Sequence, residues 1–275
     1  MASVSPQRQW RRETSRGRQA PCPQGPYRLP APGGRDPTRC HPGGIAGADR
    51  RSPGAAGQHR DDLSGTPTAQ AAGKKKSLHA AERETERVQT LRTAFREEVE
   101  VLDVQRLKFV DESGATLAMT RRYGRATPGQ RVVDSVPDNY GTNQTMIAAL
   151  SLDGLDAPWV VDGAVNGAIF HCWVSEVLGP TLQPGDIVLW DNLSAHTVAG
   201  VEELLATRGA RLIRLSPYSP DFNPIEQCWS KIKTSLRRAK ARTVEALIAA
   251  IKEALDTITV ADIRGWFEYC GYPVH

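Results

Sequence analysis

Two stretches of the chain, RLKFVDES at residues 106–113 and DIVLWDN at residues 186–192, share a constraint that few folds satisfy. Each is an apolar run that ends in a carboxylate on its own apolar face. Side chains of an extended strand alternate between faces, so Leu107, Phe109 and Asp111 fall on one side of the first run, and Ile187, Leu189 and Asp191 on one side of the second. A carboxylate at the end of a buried strand is unfavourable unless positive charge lies beside it. Two such strands in one chain point to a shared metal ion as the positive partner.

A third acidic residue stands in SPYSPDFNPIEQCW, residues 216–229. Here Asn223 reads as an N-cap, Pro224 as the first helical residue and Glu226 as the third, the position of a capping box. The helix that follows places Ile225, Cys228, Trp229, Ile232 and Leu236 on one apolar stripe, which predicts packing on the sheet. Glu226 lies next to the edge of that stripe. It can cap the helix, look across the end of the sheet, or do both.

Around these three points the chain alternates strand-like and helix-like patterns. Strands are predicted in RLKFVDES, ATLAMTRRYGR, QTMIAALSL, PWVVDG, DIVLWDN and ARLIRLS. Helices are predicted at about 168–177, through VEELLATRG to Gly209, at 224–240 and at 243–257. Strands first in hairpin order, then strand and helix in alternation, predict an α/β fold, a mixed sheet flanked by helices over residues 105–275. A helical linker is predicted over residues 73–104, where Val88, Leu91, Phe95, Val99 and Leu102 recur at steps of three and four.

Residues 1–72 differ in kind. They hold 10 Gly and 10 Pro but only Val4, Leu29, Ile45 and Leu63 of the strongly apolar types. Such a segment cannot bury enough surface to offset its ordering entropy and is expected to be disordered. It also carries 11 Arg and five acidic residues, a net +6, so the remaining chain is net −2 and the overall +4 belongs to the tail. Its Arg/Pro/Gly/Ala bias is that of a GC-rich gene translated out of frame. QHRDD, back-translated and read one base later, permits Ser-Ile-x-Thr-Ile, close to the entry of a DNA-recognition helix. The five cysteines are odd in number and form no CxxC or His/Cys ligand pattern, so neither a disulfide framework nor a zinc site is expected. No stretch approaches the ~20 apolar residues of a membrane helix, so a soluble, cytoplasmic protein with no membrane partner is expected.

FVDES, LWDNLSAH and SPYSPDFNPIEQCWSKIK resemble the three signature blocks of the DDE transposases, in particular the bacterial insertion-sequence relatives of mariner. KKKSLHAAER and MTRRYGRATPGQRV resemble the same group, and 34 residues separate Asp191 from Glu226, as in that group. The resemblance implies an RNase H-like fold in which Asp111, Asp191 and Glu226 are the catalytic and metal-binding triad. It implies DNA cleavage and strand transfer, double-stranded DNA as partner, pairing of DNA ends by a homodimer, and association with the nucleoid. Two Mg2+ or Mn2+ ions, roughly 3.5 to 4 Å apart in such sites, suit hard carboxylate oxygens. Asp111 would bridge both, with Asp191 on one and Glu226 on the other. Relatives carry helix-turn-helix domains ahead of the linker, and residues 1–72 show no such pattern, so end recognition is expected to be missing.

Several neighbours carry weaker signals. Glu112 points away from Asp111, while Asn192, His196 and Asn223 are candidates for orienting the ligands. Basic residues that could grip DNA are Arg121, Arg122 and Arg125, with Tyr123 among them, and Lys231, Lys233 and Arg237 along the triad helix. Lys240 and Arg242 crowd the end of the same helix. A solvated charged face would look the same in sequence. Two other readings share these residues: a metal-dependent RNase H-like nuclease that does not join strands, and a catalytically silent DNA-binding remnant.

Overall fold

In the computed structural model, which describes residues 27–28, 79–192 and 199–274, the apolar runs pair into one mixed sheet. Its strands are β1 (Tyr27–Arg28), β2 (Leu107–Ala115), β3 (Gln144–Ser151), β4 (Gly154–Asp162), β5 (Ile187–Trp190) and β6 (Arg211–Arg214), in the order β1-β4-β3-β2-β5-β6. β2, β3 and β4 form an antiparallel meander, whereas β5 lies parallel to β2 and β6 parallel to β5. The expected mixed sheet is therefore present, with the two acid-ending strands side by side at its centre.

Among the described residues six α-helices cover the sheet: α1 (Glu86–Glu100), α2 (Gly167–Trp173), α3 (Val201–Thr207), α4 (Ile225–Ala239), α5 (Val244–Asp256) and α6 (Val260–Tyr269). Strand alternation divides the core into two layers. Leu107, Phe109, Ile187 and Leu189 face a cluster closed by Phe95 and Val99 of α1, the Ile225/Cys228/Trp229/Ile232/Leu236 stripe of α4, and residues of α5 and α6. Val110, Val188 and Trp190 face the opposite layer, closed by Phe170 and Trp173 of α2 and by Val201 and Leu205 of α3. A π-helical turn, Val174–Leu178, extends α2 to the length read from the sequence. Gly209 ends α3 as expected: its φ of 72° suits glycine, and a Cβ would lie 3.1 Å from Pro184.

Three expectations are corrected. ATLAMTRRYGR is not a strand beyond Ala115. Residues 116–143 leave the β2/β3 ladder at Ala115↔Gln144 as irregular chain, exposed over almost all of 121–143. A hairpin there would have no layer to pack against, and an isolated two-stranded ribbon is at best marginal. Second, α6 was not anticipated, although Thr259 and Asp262 form a capping box at its start. Third, in α1 the buried stripe is Val88, Arg92, Phe95 and Val99, with Leu91 39% exposed. The helix thus turns an arginine inward and packs Phe95 and Val99 on the core cluster. The disorder expected of residues 1–72 falls outside the described residues, apart from the Tyr27–Arg28 strand on β4.

Candidate active site

Register alone brings the first two carboxylates together. β2 and β5 pair as Leu107↔Ile187, Lys108↔Val188 and Phe109↔Leu189, so Asp111 and Asp191 each stand two residues past the last pair, on the same face. α4 lies across that face, its first turn over the ends of these strands. One cavity of about 590 Å3 is consequently lined by Asp111, Asp191 and Glu226 together, with Asn192, Asn223 and the 215–220 turn around them. A larger cavity, about 740 Å3, lies between α1, Phe222 and the C-terminal Tyr272 and touches none of the three.

The electrostatics show that the three acids feel one another. Burial pushes the Asp111 carboxyl up from 3.8 to about 7, and the charges of Glu226, Asp191 and Glu112 push the same way against a hydrogen bond from the Glu112 backbone. Glu226 is likewise raised, first by burial and also by Asp191, with Lys233 opposing. Acidic neighbours thus oppose the ionisation of both Asp111 and Glu226.

The site's donors are of the chemical kind that a hard divalent cation takes. Three carboxylates converge on one cavity, and the buried Asn223 Oδ1 beside them has no hydrogen-bond partner. They are not drawn into a single coordination sphere: among the described residues no group of three or more His, Cys, Asp or Glu is close enough to hold a metal ion.

Asn223 does not cap α4 with its side chain. Its backbone is extended and its carbonyl accepts from the Glu226 N–H at 3.2 Å, but no side-chain cap is made. The capping-box reading of Asn223 and Glu226 is therefore not realised, and both residues line the cavity instead. Asn192 is committed on one side, its Nδ2 donating to Leu215 O at 2.8 Å, which ties the end of β5 to the turn before α4. His196 lies outside the described residues.

Two features of the site were not read from the sequence. Arg87 and Val88 of α1 line the triad cavity. Five residues on, Arg92 is 4% exposed, donates to both oxygens of Asp221 at 3.1 and 2.7 Å and to Ser219 Oγ at 2.6 Å, and lies over the Phe222 ring. Arg83 adds a contact to Asp221 at 3.1 Å. The linker helix is therefore bolted to the turn that presents Asn223 and Glu226. An arginine in register with Val88 and Phe95 was the available signal.

The basic residues along α4 separate into two groups. Lys231 donates to Asp262 at 2.5 Å and Thr257 O at 2.9 Å, bracing α6. Lys240 pairs with Asp134 at 2.6 Å, and Arg242 holds the Leu117 and Met119 carbonyls at 2.7 and 3.0 Å, fixing the base of the 116–143 excursion. Lys233, by contrast, acts on Glu226, and Arg237 lies near enough to Arg122 that burial and then Arg122 lower its pKa. Arg121, Arg122 and Arg125 are exposed on the excursion.

With this geometry in view, the class is clear: residues 106–248, just over half of the chain, match the family of DDE superfamily endonucleases, and the chain belongs to that family. Among solved structures it is similar to the Mos1 transposase paired-end complex with left transposon end, at 18% identity and a TM-score of 0.58, covering 74% of this chain and 64% of that one. It is similar also to the Mos1 strand transfer complex, at 19% identity and 0.56, covering 74% and 63%. A third is the mariner Mos1 paired-end complex with Mg, at 19% and 0.56, covering 74% and 65%. The likeness establishes the RNase H-like fold, and the chain spans less than two thirds of those proteins. No curated protein matches it. Among the described residues, no helix is long and apolar enough to cross a membrane.

Proposed function

We propose that this chain is the catalytic part of a DNA transposase of the mariner-related, insertion-sequence kind, in which Asp111, Asp191 and Glu226 hold divalent cations at a scissile DNA phosphate. The observation that carries the reading is the convergence of three mutually repelling carboxylates on one cavity, with Asp111 raised to about 7. A structural acid cluster would be neutralised from within the protein, as Asp221 is by Arg92 and Arg83. Here the acidic neighbours of Asp111 oppose its ionisation, a setting that a divalent cation would relieve.

Bound Mg2+ or Mn2+ supplies Lewis acidity at the phosphate and offsets its charge. The chain's own residues do the rest. Asp111, Asp191 and Glu226 would hold the ion as carboxylates, Asp111 releasing its proton to solvent water. Lys233, Arg237, Arg121, Arg122, Arg125 and Arg87 lie along the approach and hold the DNA backbone, which fixes position without reading sequence. Water is the first nucleophile and a freed DNA 3'-hydroxyl the second, so one site serves both cleavage and joining. Work on two DNA ends calls for a homodimer, and DNA as substrate places the protein with the nucleoid.

The test is nicking of supercoiled plasmid by the full chain in Mn2+, followed by recovery of joined products. Nicking by the wild type that Asp191→Asn and Glu226→Gln abolish supports the triad. Nicking with no joined product under any condition favours a nuclease that does not transfer strands.

A further inference from the structure

Three non-glycine residues among those described have a positive φ, and two of them have a local reason for it. Ala157 sits where the β3/β4 register slips, and Lys240 closes α4 as its left-handed C-cap. The third, Tyr218 at φ 54°, follows Pro217 in the turn ahead of α4. A turn with Pro first and a positive φ second ordinarily takes Gly or Asn there, because a bulky side chain is strained in that region. Residues held in such conformations persist only where their surroundings impose them, and they gather at ligand clamps and active sites.

Here the surroundings do impose it. Ser219 Oγ donates to Pro217 O at 2.9 Å, lies 2.7 Å from Ser216 Oγ and accepts from Arg92 Nη1 at 2.6 Å. Arg92 is fixed in turn by Asp221. These contacts hold the turn on both sides of Tyr218 without using its ring. The residue stays 50% exposed and lines the cavity of Asp111, Asp191 and Glu226. A position suited to glycine thus carries an aromatic side chain open to solvent at the site.

The chemistry of the site says what such a ring can take. A phosphate within a duplex has stacked bases on either side, and bringing it into a cavity of about 590 Å3 draws its strand away from that stack. An unstacked base needs a new π-face, and aromatic side chains set beside cationic ones supply it while tolerating any sequence. Arg87 lines the same cavity and provides the charge for the backbone.

We propose that Tyr218 is the stacking platform for the nucleobase next to the phosphate on which the triad acts, holding that nucleotide out of the duplex without selecting its identity. The inference rests on the DNA-processing reading above and adds to it a contact to the base, where the carboxylates and basic residues named there act on the backbone.

The test compares two DNA duplexes that each carry a short single-stranded flap, one flap with thymine bases and the other abasic, with the same phosphates. Binding to the full chain is followed by fluorescence anisotropy in Ca2+, which takes the same oxygen ligands as the proposed cation. The wild type should prefer the thymine flap by about 5-fold or more, the lower end of what one stacked base contributes. Tyr218→Phe should keep that preference. Tyr218→Asn, whose side chain tolerates the left-handed turn, should bring the ratio to about one and leave the salt dependence of binding unchanged. The ratio is taken within one variant, so a purely structural role for Tyr218 would not move it, and Tyr218→Gly carries the same expectation should the asparagine variant fail to fold. An unchanged preference in Tyr218→Asn overturns the stacking inference alone, as does no preference in a wild type whose plasmid nicking depends on Asp191. A preference lost in Tyr218→Phe assigns the contact to the hydroxyl and overturns stacking as well. Failure of the wild type to bind either duplex overturns the DNA reading together with it.

Discussion

Asp221 and Asp111 are two carboxylates at the edge of one core, and the protein treats them in opposite ways. At Asp221 burial pushes the carboxyl up, yet the hydrogen bonds and charge of Arg92, with Arg83 behind it, hold it below its ordinary value. At Asp111 burial also pushes up, and the neighbouring Glu226, Asp191 and Glu112 add to the push, to about 7. One acid has its cation built in and serves as a bolt between α1 and the turn before α4. The other has acidic neighbours that oppose its ionisation, the setting in which the proposed divalent cation would find its ligands.

The largest effect that would break this contrast is at the bolt. Arg92→Met leaves Asp221 with Arg83 alone and should lower stability by about 2 to 4 kcal/mol, since removing one partner of a buried pair strands the other. Urea unfolding measures it. A loss below about 1 kcal/mol would mean that α1 is held by its apolar stripe and that the ion pair is incidental.

Asp111→Asn should do the reverse, with a dependence on pH that fixes the cause. Because the folded pKa lies above the ordinary 3.8, the stability associated with this group is fully present below pH 3.8 and is lost as pH rises towards 7. The asparagine variant escapes that loss. In EDTA it should match the wild type near pH 4 and exceed it by about 1 to 3 kcal/mol at pH 8, while losing Mn2+ binding altogether. A constant difference across that range would remove repulsion as the explanation.

Much of this contrast could be read in the sequence on one side and almost none of it on the other. Asp111 and Asp191 were legible because a strand's period of two fixes which side chains share a face, and the parallel pairing of Phe109 with Leu189 did the rest. Glu226 was legible through the apolar stripe of α4, which fixes which way its first turn faces. The Arg92–Asp221 bolt joins residues 129 apart, and no local period carries that information. The same applies to Lys231, whose partner Asp262 lies 31 residues on, in the first turn of α6. In residues 116–143 local apolar pattern was mistaken for a strand because pattern does not show whether a layer exists to receive it. Asn223 fits a cap by its neighbours in sequence, yet its side-chain oxygen caps nothing, because the backbone carbonyl takes the Glu226 N–H instead.

The smallest expected effects sharpen the same division among the basic residues. Lys233→Gln and Arg237→Gln should each reduce the salt dependence of DNA binding by about one counterion, with little change in stability. Lys231→Gln should leave that dependence untouched and lower stability by about 0.2 to 1 kcal/mol, as expected for a partly exposed pair. Equal effects of all three on DNA binding would mean that Lys231 leaves Asp262 when DNA arrives.

The most direct measurement of the central claim is anomalous diffraction from crystals of the full chain grown in Mn2+. The account predicts manganese density in the cavity shared by Asp111, Asp191 and Glu226, within reach of all three carboxylates. Manganese found only elsewhere on the protein, with that cavity closed by an internal Lys or Arg, would contradict it.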